Sequence, residues 1–227
     1  ALGAISGLTV LARPPVLFVL PAIFVYFLAR KKYVLSVVFF LTLAVVFTPW
    51  TARNYLVYHK IMPVGAAGAW NFWIGNHEGG KGEQEETLEM TKYMEKYGVI
   101  NLQDESVRQF KKFVFEHPFD FARLTAWRVN KYFSVARPMG FWFYDSGLSQ
   151  ILFVLSSAIA SVVLFIFGLY AAVKLWAEKN KTFIRYLFAF TILTPLILFI
   201  TVVETRYRFQ IYPLLAIFAG YGIFSAF

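Results

Sequence analysis

The sequence predicts an all-α integral membrane protein, a multi-span helical bundle carrying an extracytoplasmic helical loop domain. Three observations lead there. Hydrophobic residues fill 59% of the 227 positions and charged residues only 15%, where a soluble globular chain carries roughly 25%. Five stretches reach or approach the roughly 20 apolar residues that cross a bilayer. Basic residues gather in the short connections between those stretches, which is a topology signal. The 26 Phe, 13 Tyr and 6 Trp suit lipid-facing and interfacial positions.

Residues 1–49 read as a pair of transmembrane segments preceded by the tail of an earlier helix. Ala1–Ala12 is too short to cross alone. Pro14–Ala29 just spans with its flanks, and Tyr33–Ala52 is free of charge. Residues 50–149 read as the extracytoplasmic domain. Residues 150–227 carry three further spans: Ser146–Val173, which begins slightly earlier, then Tyr186–Val203 and Phe209–Phe227. Arg30, Lys31 and Lys32 separate the first two spans. Lys174, Lys179, Lys181 and Arg185, opposed only by Glu178, separate the third and fourth. The positive-inside rule places both connections in the cytoplasm and residues 50–149 outside. That block holds 12 basic and 11 acidic side chains, a balance in keeping with an outer location. The chain begins with Ala1 and is apolar from the start, without a basic n-region, so it reads as internal to a longer protein.

Within the outer block, Glu83–Tyr97 consists of helix formers with acids early and lysines late, which suits a helix dipole. Asp104 is placed to cap a second helix running to about Glu116. Pro118 starts a third, with Phe119, Leu124, Trp127, Val129 and Phe133 along it. Basic, aromatic amphipathic helices of this kind lie on membrane surfaces or pack on one another as a small domain.

Composition also excludes functions. With no cysteine and three histidines, His59, His77 and His117, thiolate metal sites and disulfides are ruled out. The net charge of +9 is spread in short runs beside apolar stretches, so nucleic acid is not a partner. The Asn180–Thr182 triplet matches a glycosylation sequon but falls in a cytoplasmic connection.

Gly75–Gly82 reads G-N-H-E-G-G-K-G, one position short of a nucleotide-binding G-x-x-x-x-G-K-[ST] loop. Gly82 has no hydroxyl for Mg²⁺, no apolar strand ending in Asp accompanies it, and the topology places it away from cytosolic ATP. Its glycines still allow tight turns and accessible N–H groups. Around it, Trp50, Trp70 and Trp73 are either interfacial anchors or a stacking surface for a sugar, with Asn71 and Asn76 as hydroxyl partners. Arg206 and Arg208, in E-T-R-Y-R at 204–208, place two guanidiniums at the outer face, where the positive-inside rule disfavours them. Such a pair suits a lipid phosphate; the simpler reading is an anchored turn with Glu204 neutralising one arginine. Arg13, in A-R-P-P, precedes the first full span.

Taken together, "LARPPVLFVLP", "PWTARNYLVYHKIMPVGAAGAWNFWIGNHEGGKG" and "ETRYRFQIYPLLAIFAGYG" resemble segments of the bacterial C-type-fold membrane glycosyltransferases, relatives of the family 39-like dolichyl-phosphate-mannose and aminoarabinose transferases. The resemblance implies transfer of a sugar from a polyprenyl-phosphate carrier to an acceptor outside the cytoplasm, in the cell membrane. It implies lipid-phosphate binding by Arg13, Arg206 and Arg208. It implies a substrate cavity formed with the loop that holds Trp70, Asn71, Trp73, Asn76, His77 and Lys81. The family's catalytic carboxylate lies in a first outer loop that has no counterpart here, so this chain alone is expected to be inactive, and neither Glu78 nor Asp145 replaces that group. No cofactor is implied, and dependence on a divalent metal is left open, as is the acceptor. The alternatives are a transporter or flippase for a lipid-linked sugar, expected to show charged or broken helices at mid-membrane, and a non-catalytic membrane scaffold.

Overall fold

An apolar chain satisfies its backbone polar groups most readily within helices, and proline marks where some of them start or break. The computed structural model describes residues 1–65, 68–135, 147–177, 190–203 and 205–226. Among these, the regular elements are all helical. They are α1 (Leu2–Ala12), a 3₁₀ turn (Pro14–Val19), α2 (Leu20–Ala29), α3 (Tyr33–Tyr58), α4 (Trp70–Ile74), α5 (Leu88–Glu116), α6 (Pro118–Phe133) and α7 (Leu148–Ala177). After these come α8 (Leu196–Ile200), a second 3₁₀ turn (Thr205–Gln210) and α9 (Tyr212–Ala226). They form two compact units: Ala1–Thr125 with Ile200–Val202, and Ala126–Phe199 with Val203–Phe227. The division falls inside α6.

In the first unit, Gly3 and Gly7 lie one turn apart on α1 and let it press onto α3. A Cβ on Gly3 would sit 2.5 Å from the Phe39 carbonyl oxygen, and one on Gly7 would sit 2.9 Å from Val46. This is the small-xxx-small pattern of closely packed apolar helices. The pairing also sets direction, since Gly3 beside Phe39 and Gly7 beside Val46 make α1 and α3 parallel. Between them α2 runs back, with Phe24 against Phe40 and Phe27 against Phe39. Arg13 therefore shares one end of the unit with the C-terminus of α3, and Arg30–Lys32 occupies the other.

Two helices are long and apolar enough to cross a membrane, α3 with 26 residues and α7 with 30. Only 17% and 11% of their most apolar windows is buried within the protein. A core helix of a soluble fold hides its apolar surface; these two leave theirs open. Among the described residues, the helices of the other three predicted spans are shorter. Pro14 and Pro15 force the opening of Pro14–Ala29 into a 3₁₀ turn. Within Phe190–Ile200 the helix is interrupted by a turn at Thr194 and Pro195, and Tyr212–Ala226 has 15 residues. Counting apolar residues does not register where a proline removes a helical hydrogen bond. Asp145, the Asn180–Thr182 triplet, Glu178, Lys179, Lys181, Arg185 and Glu204 lie outside the described residues.

The amphipathic helices differ from expectation in their boundaries. The first begins at Leu88, where the Thr87 hydroxyl accepts the Met90 N–H at 3.2 Å, so Thr87 is the N-cap. Asp104 caps nothing. It lies inside α5 and forms an ion pair with Lys60, which also reaches Asn101. The break between the two expected helices is at Gly98, whose φ of 79° and ψ of 164° are open almost only to glycine. The third helix starts at Pro118 as predicted. On α5, Arg108 grips the buried Glu105 carboxylate at 2.6 and 2.9 Å and holds its pKa below the usual carboxylate range, against the opposing effect of burial; Gln109 adds a bond at 2.7 Å.

In the second unit, α7 and α9 pack along their lengths around Ala171, Leu175 and Phe218. The Ser161 and Tyr212 hydroxyls are 2.9 Å apart, and the Lys174 ammonium donates to the Ser225 carbonyl at 3.2 Å. Both partners advance by the same number of residues, so the helices are parallel. The Thr205–Gln210 turn lies at the end of this pair opposite Lys174.

Candidate functional site

The Gly75–Gly82 loop follows the short helix α4. Trp73 and Ile74 are buried with Met90, Leu102 and Val202, and Trp70 packs half-buried against them. Gly75 faces the backbone of the 200–202 segment so closely that a Cβ would lie 2.0 Å from the Thr201 carbonyl oxygen. Asn76 is 1% exposed. Its amide donates to the Phe72 and Ile200 carbonyls, each at 2.9 Å. Gly79 and Gly82 take φ values of 73° and 74°, the left-handed turns that glycine permits.

Trp73 and Asn76 thus serve packing and backbone pairing rather than an open cavity wall. Asn71 is half-buried and donates to the Gly68 carbonyl at 3.3 Å. The His77 Nδ1 lies 3.0 Å from the Glu78 carbonyl oxygen, and its Nε2 is buried without a hydrogen bond. Lys81 is exposed, and its backbone N–H points to the Glu85 carboxylate at 3.4 Å. The Glu78 carboxylate lies 3.1 Å from the His117 Nε2, which ties the loop to the start of α6.

The Thr205–Gln210 turn of the second unit separates its two arginines. Residues two apart on a 3₁₀ helix point about 120° apart, and the two differ in burial: Arg208 is fully enclosed and Arg206 only partly so. Arg208 is fully buried. It donates to the Ser134 carbonyl at 2.7 Å, and its guanidinium lies 5.8 Å from the centroid of the Tyr212 ring. Burial pushes its pKa below the ordinary arginine value. Arg206 is half-buried, with its guanidinium 5.4 Å from the Tyr207 ring centroid.

Beside this turn lies a cavity of about 530 Å³, lined almost wholly by apolar side chains including Phe133, Phe165, Leu169, Ile211, Leu215 and Phe218. Ile211 closes the turn, donating its N–H to the Arg208 carbonyl at 3.0 Å. The cavity therefore begins where the arginine turn ends.

A second buried arginine belongs to this unit and was not among the predicted site residues. Arg128 on α6 is fully buried and donates to the Phe199 carbonyl at 3.2 Å; burial lowers its pKa to about 10, so it stays charged at neutral pH. Tyr132, one turn on, is also fully buried; burial raises its pKa, and its hydroxyl makes no hydrogen bond. The spacing Leu124, Arg128, Tyr132 places all three on one face of α6, and a charged residue within an apolar stripe is the signal that would have found Arg128.

Arg13 belongs to the first unit. It is exposed and joins α1 to the Pro14–Val19 turn, its N–H donating to the Thr9 carbonyl at 2.7 Å. Among the described residues, no group of three or more histidines and carboxylates is placed to hold a metal ion. Comparison with protein-family models, with curated proteins and with solved structures gives no match.

Proposed function

We propose that the chain is part of a membrane glycosyltransferase that takes a sugar from a polyprenyl-phosphate carrier, with its substrate loop and arginine turn on the extracytoplasmic side. One observation carries the reading: a half-buried arginine and a fully buried one share a turn whose next residue, Ile211, lines an apolar cavity of about 530 Å³. That arrangement suits an amphiphile with an anionic head and an apolar tail. Guanidiniums in a low-dielectric setting bind phosphate oxygens strongly. The helix directions support the sidedness, since the basic connections Arg30–Lys32 and Lys174 each lie at the end of their unit opposite Arg13 and the arginine turn.

In the reaction, the bond between the anomeric carbon and the carrier phosphate breaks, and its electrons leave with the phosphate. An acceptor hydroxyl or amine forms the new bond and gives up its proton to a base that no residue of this chain is assigned to be. Arg206 and Arg208 would stabilise the charge growing on the departing phosphate. Burial of the lipid tail supplies binding energy away from the reacting centre. Trp70, Asn71, His77 and Lys81 remain the loop residues open to a sugar.

The test is Arg206→Ala in the complete protein reconstituted in bilayers, with sugar transfer measured from a polyprenyl-phosphate donor. Loss of one group that stabilises a developing anion costs roughly 10²- to 10³-fold in rate, and a drop of that order is expected with folding preserved. A wild-type rate would remove the reading. A transporter of lipid-linked sugar is the second reading, favoured by the helix break at Thr194 and Pro195, since interrupted helices line transport sites. It requires movement of the intact carrier across the bilayer without transfer to an acceptor, which the same vesicles report.

A further inference from the structure

We propose that the corner between α5 and α6, headed by Phe115 and Phe119, is an anchor that inserts into the headgroup layer of the lipid bilayer. This rests on the membrane reading above. Phe115 and Phe119 are 83% and 90% exposed, one on each side of the His117 junction. Two open phenyl rings flanking one junction offer apolar area without a partner among the described residues, and aromatic side chains concentrate at the boundary between lipid and water.

The charges around the pair suit a phosphate layer. Two of the acids near it are held in ion pairs, Glu116 with Lys112 at 3.9 Å and Asp120 with Arg123 at 3.1 Å, and the Glu78 carboxylate lies 3.1 Å from the His117 ring. The carboxylates flanking the junction between the two rings, Glu116 and Asp120, are thus each matched by a cation. Lys111 stands exposed beside them, and its aliphatic stem lets the ammonium reach a phosphate while the rings go deeper.

Continuity with α3 favours lipid over a protein partner. The C-terminal end of α3 carries Trp50, Arg53, Tyr55 and Tyr58, with the Arg53 guanidinium 5.6 Å and 5.3 Å from the Trp50 and Tyr58 ring centroids, a composition fit for the interface. Lys60, just beyond, is bonded to Asn101 and Asp104 of α5. From Asp104 to Phe115 is eleven residues, about 16 Å along a helix, whereas the headgroup zone is only about 5–8 Å deep on each side. The anchor thus requires the part of α5 beyond the Gly98 kink to lie close to the plane of the membrane surface.

The chain contains no cysteine, so single nitroxide labels report position directly. Phe119→Cys, Val45→Cys on the exposed side of α3 and Glu95→Cys as an aqueous reference would be labelled in protein reconstituted into phosphatidylcholine–phosphatidylglycerol vesicles. Collision with oxygen and with a water-soluble nickel chelate is then measured. Phe119 is almost fully exposed, so its replacement removes little packing. The expected result is deep burial in lipid for the Val45 label, free access of nickel to the Glu95 label, and a headgroup depth for the Phe119 label with an oxygen-to-nickel ratio several-fold above that at Glu95.

A Phe119 label that matches Glu95, while Val45 lies in lipid, overturns the anchor and leaves the membrane reading standing. Occlusion of the Phe119 label from both reagents overturns it in favour of a protein or a second copy. A Val45 label open to nickel overturns the membrane reading and the anchor with it.

Discussion

The Gly75–Gly82 loop and the Thr205–Gln210 turn both look suited to phosphate, and they use their residues in opposite ways. In the loop, glycine answers a packing demand: Gly75 is excluded from carrying a side chain by Thr201, and Asn76 bonds the Ile200 backbone. Its cation, Lys81, stands in solvent. In the turn, no glycine is present, and a cation is carried into the interior, where Arg208 is fully buried. A charge in water is screened and gains little from an anion, whereas one in a low-dielectric setting gains much more. Under the proposed function it is the turn, and not the nucleotide-like spelling of the loop, that would hold a phosphate.

Four substitutions break or sharpen this contrast, taken from the largest expected effect. Gly75→Ala places a methyl group against backbone that cannot yield easily, and overpacking costs 1–3 kcal/mol or more. We expect a loss of about 3 kcal/mol in unfolding free energy in detergent micelles, and an unchanged midpoint would show that the loop moves freely off Thr201. Arg208→Ala leaves the Ser134 carbonyl without its charged donor, and hydrogen bonds to charged groups contribute about 1.5–3 kcal/mol. A similar loss is expected in the same measurement, together with loss of phosphate-carrier binding; retained stability would deny the arginine a structural role.

Asn76→Ala removes two amide bonds to carbonyls, and a destabilisation of about 1–2 kcal/mol is expected. Calorimetry would read it, and no change would mean that water replaces the amide. Lys81→Ala should alter stability by less than about 0.5 kcal/mol, leaving sugar transfer as its informative readout. A large fall in transfer at Lys81 with unchanged folding would reverse the ranking of the two regions.

Some of the molecule was legible along the chain. The apolar runs at Tyr33–Tyr58 and Leu148–Ala177 announce helices because every position repeats the same preference, and Pro118 announces the start of α6. The G-x-x-x-G spacing of Gly3 and Gly7 was also legible, yet its partner was not, because it depends on which helix comes alongside. Thr87 and Asp104 are both good capping residues. Only the position of Lys60 and the left-handed Gly98 decide that the first caps and the second does not.

By itself, then, the sequence determined the helical class, the apolar stretches and the separation of basic connections from the rest, since these follow from composition and period, while which of the five predicted spans form long helices was settled only by the structure. Tertiary structure alone decided that Trp73 and Asn76 turn inward, that Gly75 meets Thr201, and that Arg128 and Arg208 are buried while Lys81 and Arg13 are not. Burial is a property of what packs against a residue, and in most of these cases the neighbours lie many tens of residues away in the chain.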